Sequence, residues 1–315
     1  MTGGLGRLAR SPEEMGINMA AAMARALVHY APYAPEPGDV FITSWAKSGT
    51  TLMQQMFHQI RMVAATGAGD MDFDDISRMT PWDDTARMTD TDMTAPQRAS
   101  PRGFKSHREY ERLAQGMRYV VTLREPKDTY VSIKRFFEGW MVAPGALSLE
   151  EFMPFWMSGG PGGCDYFTHL LSWWARRDEP DTLLMTYEAT ARDRRRAIRR
   201  LAAFMGIEPT DTLIEIVDGY TTREFMHAHK DRFDDAMMVA ALREGAGIEH
   251  ELESSKVQAI GSDGSSLPAS IAEQIDAMWA ERVEPVTGMA CYADLAAEVD
   301  ALAGAALDGA ARAGA

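Results

Sequence analysis

The residues with the clearest chemical character form one short segment, Lys47-Ser48-Gly49-Thr50-Thr51. An apolar run that predicts a β-strand, Val40–Thr43, precedes it, and residues 52–63, which have the apolar spacing of a helix, follow it. A strand, a glycine turn and a helix start can together bind phosphate, because the turn exposes N–H groups and the helix N-terminus is partly positive. The lysine adds a full charge and the hydroxyls add donors. The segment therefore predicts a phosphate-binding loop.

An alternative interpretation of this segment is a capped helix start, in which Ser or Thr satisfies free amides and nothing binds. The loop also differs from that of nucleoside triphosphatases, G-x-x-x-x-G-K-[ST]. Here the first glycine is missing, and Lys47 precedes Gly49. No apolar strand ends in an Asp suited to hold Mg²⁺. The pattern is thus P-loop-like without being that of a kinase or an ATPase.

A second group of polar residues follows the clearest predicted strand, Met117–Leu123. Arg124 comes directly after this strand, and its planar guanidinium can bind a phosphate through two parallel hydrogen bonds. Ser132 lies eight residues later, in a helix predicted from about Thr129 to Glu138, and can add a hydroxyl from the same side. Taken alone, the two residues favour a strand-end ion pair and an ordinary helix serine.

Three segments resemble the motifs of the cytosolic-type, PAPS-dependent sulfotransferases. Residues Thr43–Leu52 resemble the signature Y-P-K-S-G-T-T-W, and Tyr119–Ser132 resembles the 3′-phosphate motif R-N-P-K-D-x-x-V-S, with Glu125 in place of Asn. Between them, Phe104-Lys105-Ser106-His107 resembles the K-T-H element that carries the catalytic histidine. A lone loop histidine is more often structural, but this order of motifs favours the catalytic role. The chain is identified as a divergent, bacterial-like member of this family.

The resemblance also implies an adenine site. Leu52 stands where the family often has a tryptophan that stacks on adenine. Tyr187, at the end of a predicted strand, matches a tyrosine near the base. Thr221 and Met226 match the T-S-F-x-x-M element, whose Thr and Met line the adenine. The helix at Tyr166–Trp174 resembles W-x-x-H-x-x-x-W-W, and we interpret its tryptophans as packing residues.

The family's C-terminal R-K-G-x-x-G loop, which holds the 3′-phosphate, has two candidates. One is Leu242–Gly247, and the other is Lys256–Gly264, just before a helix predicted at 268–283. We favour the second because of its distance from that helix. It lacks the arginine, and Lys256 is the cation that takes its place.

The resemblance implies PAPS, 3′-phosphoadenosine 5′-phosphosulfate, as donor, without a metal. His107 would be the general base, Lys47 would neutralise charge on the bridging oxygen, and Lys105 would steady the sulfuryl oxygens. The residues implied to hold the phosphates are Ser48, Gly49, Thr50 and Thr51 for the 5′-phosphate, and Arg124 and Ser132 for the 3′-phosphate.

The acceptor pocket has a weaker signal. The sequence predicts an apolar wall formed by Trp82, Phe137 and Trp140, with Phe136 and Met141, although each of them is also compatible with the core. We interpret the acidic residues nearby as a solvated loop, with an amine acceptor as the alternative. These acidic residues are Asp70, Asp72, Asp74, Asp75, Asp83 and Asp84.

Composition limits the partners. The 315-residue chain is 46% hydrophobic and 25% charged, and its net charge of −14 argues against nucleic acid as a main partner. Its two cysteines, Cys164 and Cys291, provide no metal site. The segment Met1–Tyr30 lacks an uninterrupted apolar run, and no stretch approaches the ~20 apolar residues of a membrane span. We expect a cytoplasmic protein that acts on a small molecule.

Strands followed by helices, repeated along the chain, predict an α/β fold with a central parallel sheet flanked by helices. We expect one domain over residues 1–315, with an N-terminal helical segment at 1–37, whose helix covers 12–30, and a frayed tail at 303–315. The predicted function is sulfuryl transfer to a hydroxyl or amine. Two alternatives are a small-molecule kinase that uses the same loop and a nucleotide-binding protein whose catalysis has lapsed.

Overall fold

The centre of the fold is a sheet of short parallel strands, seen in a computed structural model that describes residues 3–24, 33–34, 36–159, 163–249 and 267–313. The strands are β1 (Val40–Thr43), β2 (Gly103–Ser106), β3 (Arg118–Leu123) and β4 (Thr182–Thr186). Their order across the sheet is β2-β1-β3-β4. All three neighbouring pairs are parallel.

Helices occupy most of the remaining described chain. They are α1 (Pro12–Ala24), α2 (Thr50–Thr66), α3 (Ile76–Met79), α4 (Pro126–Phe137), α5 (Leu149–Met157), α6 (Tyr166–Trp174), α7 (Tyr187–Arg192), α8 (Arg194–Phe204), α9 (Asp211–Tyr220), α10 (Arg223–Ala228), α11 (Ala236–Ala246), α12 (Ala269–Arg282), α13 (Glu284–Thr287) and α14 (Tyr292–Ala313). Within this part of the chain, no helix combines the length and apolar character needed to cross a membrane.

Both faces of the sheet are buried, because successive strand residues point to opposite sides. Phe41 and Val121 belong to a large core with the aromatic residues of α4, α5 and α6. Ile42 and Val120 belong to a second core with α2, α8 and α9. The predicted α/β fold with a central parallel sheet is confirmed.

Some predicted boundaries differ from the structure. The helix predicted at 191–204 is two helices, because the side chain of Asp193 accepts a hydrogen bond from the Arg196 N–H and starts α8. The backbone is helical through Ala313, where the sequence predicts a frayed tail, since alanine has the highest helix propensity. Helix α1 is described to Ala24; residues 25–30 of the predicted helix lie outside the described residues.

The parallel arrangement determines where the polar segments meet. The carboxyl ends of parallel strands open at one edge of a sheet, which is where ligands bind in α/β proteins. Strand β1 leads into the Lys47 loop, β2 leads to His107, β3 leads to Arg124 and β4 leads to Tyr187. All four segments singled out by sequence therefore lie at this edge.

Candidate active site

The loop between β1 and α2 turns sharply at two left-handed residues, Lys47 with φ +69° and Gly49 with φ +94°. The first is unusual for a residue with a Cβ, and such strain is concentrated at functional sites. A Cβ on Gly49 would lie only 2.7 Å from Tyr187 Cδ2. Glycine is therefore required at this position both by the backbone angle and by the close approach of the tyrosine ring.

The polar atoms beside this loop that are buried without a partner among the described residues include Ser48 Oγ and Arg124 Nε. Buried polar atoms are nearly always hydrogen-bonded, so each such exception calls for an explanation. Arg124 is tied to the loop by Nη1, which donates to the Lys47 carbonyl at 3.0 Å. A hydroxyl and a guanidinium N–H, both donors, are thus available where an anion would lie.

The other predicted phosphate residues differ in their surroundings. Thr50 is buried and pairs through its hydroxyl with the hydroxyl of Ser44, whereas Thr51 is partly exposed. Ser132 lies in the second turn of α4 and is partly exposed. The contacts between described residues include none that joins Ser132 to Arg124, so their shared role stays a prediction.

The ammonium group of Lys47 lies in an electropositive, apolar setting. Its Nζ is 4.4 Å from the centre of the Phe136 ring. Burial, together with the positive charges of Arg124 and Lys105, lowers the pKa of Lys47 to about 7. In the absence of an anion, Lys47 therefore holds its proton only part of the time at neutral pH.

Lys105 is fully buried at the end of β2. Its Nζ lies 3.3 Å from both carboxylate oxygens of Asp235 and 3.4 Å from the centre of the Trp82 ring. The ion pair and the cation–π contact each stabilise a charged ammonium. Asp235 carries no motif signal in the sequence, and its role emerges only from the fold.

The orientation of His107 assigns its tautomer. Nδ1 lies 2.7 Å from the carbonyl oxygen of Ser44. A carbonyl can only accept a hydrogen bond, so Nδ1 carries the hydrogen and Nε2 is the basic nitrogen of the neutral ring. The ring also packs edge-on against Trp82, with centroids 5.0 Å apart. The hydrogen bond to Ser44 and the contact with Trp82 thus fix the orientation of the ring.

Asp84 organises the segment around His107 and was not singled out by any motif. Its carboxylate accepts from the His107 backbone N–H at 2.6 Å and from Trp82 Nε1 at 2.7 Å. Arg108 pairs with the same carboxylate at 2.9 Å. Burial raises the pKa of Asp84. This one side chain therefore joins the histidine to the tryptophan that packs on it.

All five residues of the predicted apolar wall are buried in one core, and their role in an acceptor pocket stays a prediction. Trp82 lies against Lys105 and His107. Trp140 packs against both Phe137 and Phe136, with centroids 4.8 Å and 4.7 Å apart. Phe136, one residue before Phe137, is the side chain that contacts Lys47. The helical turn of α4 explains the difference, because adjacent residues on a helix point in different directions.

All six acidic residues considered for an amine acceptor have partners within the protein. Asp70 pairs with His58 and Arg98, and Asp75 caps α3. The remaining pairs are Asp72 with Arg98 at 3.7 Å, Asp74 with Arg78 at 2.6 Å, Asp83 with Arg108 at 2.7 Å, and Asp84 with Arg108 at 2.9 Å. These carboxylates therefore form ion pairs with cations of the protein or cap a helix.

Comparison with known proteins agrees with this geometry. Residues 37–284 match the family model for the sulfotransferase domain. The chain belongs to the sulfotransferase family. It is 26% identical to Sulfotransferase 4A1 of Mus musculus over 183 residues, which are 56% of this chain and 63% of that protein. The chain thus spans less than two thirds of this curated relative's length.

Two solved structures have the same fold as this sulfotransferase-family chain. Retinol dehydratase in complex with androsterone and inactive cofactor PAP has a TM-score of 0.61 at 16% identity, covering 84% of this chain and 86% of that one. Mouse sulfotransferase SULT7A1 complexed with PAP has a TM-score of 0.57 at 18% identity, covering 94% and 95%. At these identities the likeness establishes the fold alone.

The region that the family resemblance assigns to adenine is a small apolar cluster in this chain. Met226 is buried there with Phe73, Ile76 and Phe233, and Leu52 packs against them. The hydroxyl of Thr221 donates to the Val217 carbonyl at 2.9 Å. An adjoining cavity of about 490 Å³ is lined by Asp72, Phe73, Asp74, Arg78, Met79, Arg98, Asp231 and Arg232. That cavity includes none of Lys47, Lys105 and His107.

The two candidates for the C-terminal phosphate loop have different outcomes. Residues 242–247 form the end of α11 and its glycine cap, and a Cβ on Gly245 would lie 2.7 Å from Ala22 Cα. That segment is therefore a helix packed on α1 instead of a loop. The favoured segment, 256–264 with Lys256, lies outside the described residues. Over the described ranges, no group of three or more His, Cys, Asp or Glu side chains is arranged to hold a metal ion.

Proposed function

We propose that this protein transfers a sulfuryl group from PAPS to a hydroxyl or amine of a small-molecule acceptor, with His107 as general base. One observation carries the proposal: a histidine with a basic Nε2 and two lysines lie beside an anion cradle with two unpartnered buried donors. Family membership supports it, as do the related structures that contain PAP, the product of the donor.

The loop suits the 5′-phosphosulfate of the donor, and Arg124 suits its 3′-phosphate. Gly49 gives the loop its left-handed turn against Tyr187. Ser48 Oγ would gain from the 5′-phosphate, and Arg124 Nε from the 3′-phosphate, the partner that each lacks within the protein. Anions at a helix N-terminus are stabilised by its free N–H groups. We assign the 5′-phosphate to residues 47–51, the 3′-phosphate to Arg124 and Ser132, and the adenine to the side of Tyr187, Thr221 and Met226.

The proposed reaction is an in-line displacement at sulfur. His107 Nε2 takes the proton of the acceptor hydroxyl or amine, whose heteroatom forms the new bond to sulfur. The bond between sulfur and the bridging phosphate oxygen breaks, and Lys47 neutralises the charge that develops on that oxygen. Lys105 holds the sulfuryl oxygens. Positioning and charge neutralisation therefore supply most of the rate enhancement.

A ligand panel distinguishes this function from a kinase or a lapsed nucleotide-binding protein. We expect adenosine 3′,5′-bisphosphate to raise the melting temperature, since a ligand at 100 times its Kd stabilises by about 2.7 kcal/mol, and ATP with Mg²⁺ to have no such effect. Labelled PAPS should then transfer sulfate to at least one member of a panel of phenols, alcohols and amines. Stabilisation by ATP with Mg²⁺ alone, or donor binding without transfer to any acceptor, would contradict the proposal.

Arg124 provides a test of the 3′-phosphate assignment. Replacing it with glutamine removes a charge-assisted hydrogen bond worth roughly 1.5–3 kcal/mol, which corresponds to a loss of about 10- to 150-fold in affinity for the bisphosphate. Affinity for adenosine 5′-phosphate should fall much less. Arg192→Gln, which makes the same charge change at a side chain 67% exposed, is the matched control. Equal affinities in the two variants would reject the role of Arg124.

A further inference from the structure

The buried pair formed by Lys105 and Asp235 is the feature that the reaction scheme above leaves unexplained. Lys105 is 0% exposed and Asp235 is 1% exposed. The two residues are separated by 130 positions in the chain. A charge removed from water is strongly unfavourable unless an opposite charge or hydrogen bonds replace the solvent. Asp235 therefore supplies the negative charge that allows Lys105 to stay an ammonium inside the protein.

The position of Asp235 is held by several contacts. It adopts a left-handed conformation, φ +56° and ψ +40°, immediately before α11. Ser77 Oγ, from α3, donates to its carboxylate at 3.3 Å. Phe233, two residues earlier, is fully buried in the cluster with Met226. The Asp235 carboxylate is thus held in place by the surrounding protein as well as by Lys105.

The lysine end of the pair is equally well defined. The backbone of Lys105 is fixed on both sides, since its N–H donates to the Pro81 carbonyl at 2.8 Å and its carbonyl accepts from the Asp83 N–H at 2.9 Å. Between these two contacts lies Trp82, whose ring covers the ammonium and also packs on His107. The positive charge of Lys105 lowers the pKa of Lys47.

We propose that Asp235 is a positioning residue for sulfuryl transfer: it keeps the Lys105 ammonium charged and directed over Trp82, beside His107 and Lys47. The proposal rests on the function proposed above. The charged and titratable groups around Lys105 include Asp235 before α11, Lys47 in the β1–α2 loop, and His107 and Asp84, which both contact Trp82. Asp235 is the carboxylate that forms an ion pair with Lys105, so its negative charge offsets the positive charge of the lysines before an anionic donor arrives.

The first test compares Asp235→Asn with Lys105→Met and with the double variant. We expect Asp235→Asn to lower kcat by at least about tenfold and to change KM for PAPS by less than about threefold. The loss of kcat should grow from pH 6 to pH 9, because the buried Lys105 ammonium releases its proton more readily without the Asp235 charge. The double variant should be no slower than Lys105→Met, since both changes act on one group.

Two outcomes of this comparison would overturn the proposal. One is an Asp235→Asn enzyme with wild-type kcat over the whole pH range. The other is a double variant in which the two losses multiply. Ser77→Ala is the matched control, because it removes a neutral hydrogen bond to Asp235 and leaves the ion pair intact, so its kcat should stay within about twofold of wild type.

A second measurement does not depend on turnover. The melting temperature of Asp235→Asn relative to wild type should be lowest at acidic pH and should recover as pH rises. In the folded variant, burial without a counter-charge lowers the pKa of Lys105, whereas Lys105 keeps its ordinary pKa in the unfolded chain. The unfolded chain therefore binds more protons, and the free energy of unfolding increases with pH. A deficit that does not vary with pH would reject charge compensation by Asp235. Failure of wild-type PAPS turnover would instead reject the proposed function.

Asp235→Glu provides the variant for the case in which Asp235→Asn does not fold. It retains the negative charge and displaces it by one methylene. We expect a lower kcat with the wild-type pH profile, because the lysine stays charged but its ammonium is moved. A glutamate variant with wild-type kcat, or with the alkaline loss expected of the asparagine variant, would contradict the positioning role.

Discussion

Replacing His107 with alanine is expected to lower the rate of sulfuryl transfer by about 10²- to 10⁴-fold, the usual contribution of a general base. The effect should fall on kcat, because the proton of the acceptor would have no group to receive it. Binding of adenosine 3′,5′-bisphosphate should change by less than about threefold, since no phosphate contact is assigned to this residue. Single-turnover kinetics with saturating PAPS and calorimetric binding of the bisphosphate measure the two effects separately.

His107→Asn is the matched control for this experiment. The asparagine amide can still donate to the Ser44 carbonyl, which in the native protein accepts from His107 Nδ1 at 2.7 Å. It offers no basic nitrogen. Alanine and asparagine should therefore be equally slow, with the asparagine variant closer to wild type in stability. Turnover near the wild-type rate in either variant would exclude His107 as the base.

Replacing Lys47 with methionine is expected to lower kcat by about 10²- to 10³-fold, the effect of removing one group that stabilises the developing charge in a transition state. Methionine is similar in length and keeps the contact with Phe136, so the variant removes the charge with little change in packing. Arg124 would still be present to bind phosphate. The loss should consequently be larger in kcat than in affinity for the bisphosphate.

The pKa of Lys47 adds a pH dependence to the same experiment. With a pKa of about 7 in the free protein, Lys47 is largely neutral at higher pH. A bound anion favours the charged form, so binding above pH 7 must take up a proton. Affinity for the bisphosphate should thus fall as pH rises above about 7, by up to about tenfold per unit until the pKa of the bound form is reached.

This slope should be absent from Lys47→Met, whose side chain has no proton to gain. Lys47→Arg should also remove the slope, but for the opposite reason: arginine stays charged throughout the range. Calorimetry in buffers with different ionisation enthalpies measures the proton uptake directly. Identical pH profiles in wild type and Lys47→Met would show that another group is responsible.

Much of the site could be predicted from the sequence because its parts are local. A strand, a turn and a helix are each specified by a few neighbouring residues. The strand that precedes Arg124 was located to within one residue, whereas α2 begins at Thr50, two residues before its predicted start. Trp82 lies beside Lys105 because its segment pairs with β2, while its place in an acceptor pocket stays a prediction. Segments that are specified by local hydrogen bonds and residue spacing can be recognised from the sequence.

Other residues could not be assigned because their environment depends on packing between distant parts of the chain. Whether Phe136 or Phe137 contacts Lys47 follows from the rotation of α4 against the sheet, which the apolar pattern of two adjacent phenylalanines does not distinguish. The segment 242–247 has the glycines of a phosphate loop, yet it ends a helix that packs closely on α1. Glycine permits both outcomes, and the contact with Ala22 decides between them.

The segment Lys47–Thr51 shows which properties of the site follow from the sequence and which follow from the fold. Its residue types, its place between a strand and a helix, and the order of the motifs that indicates the family can be read from the sequence. The contact of Asp235 with Lys105, the link from Trp82 to His107 through Asp84, and the strand order β2-β1-β3-β4 required the folded structure. Backbone propensity acts between neighbours, whereas burial brings together distant charges that must then be paired.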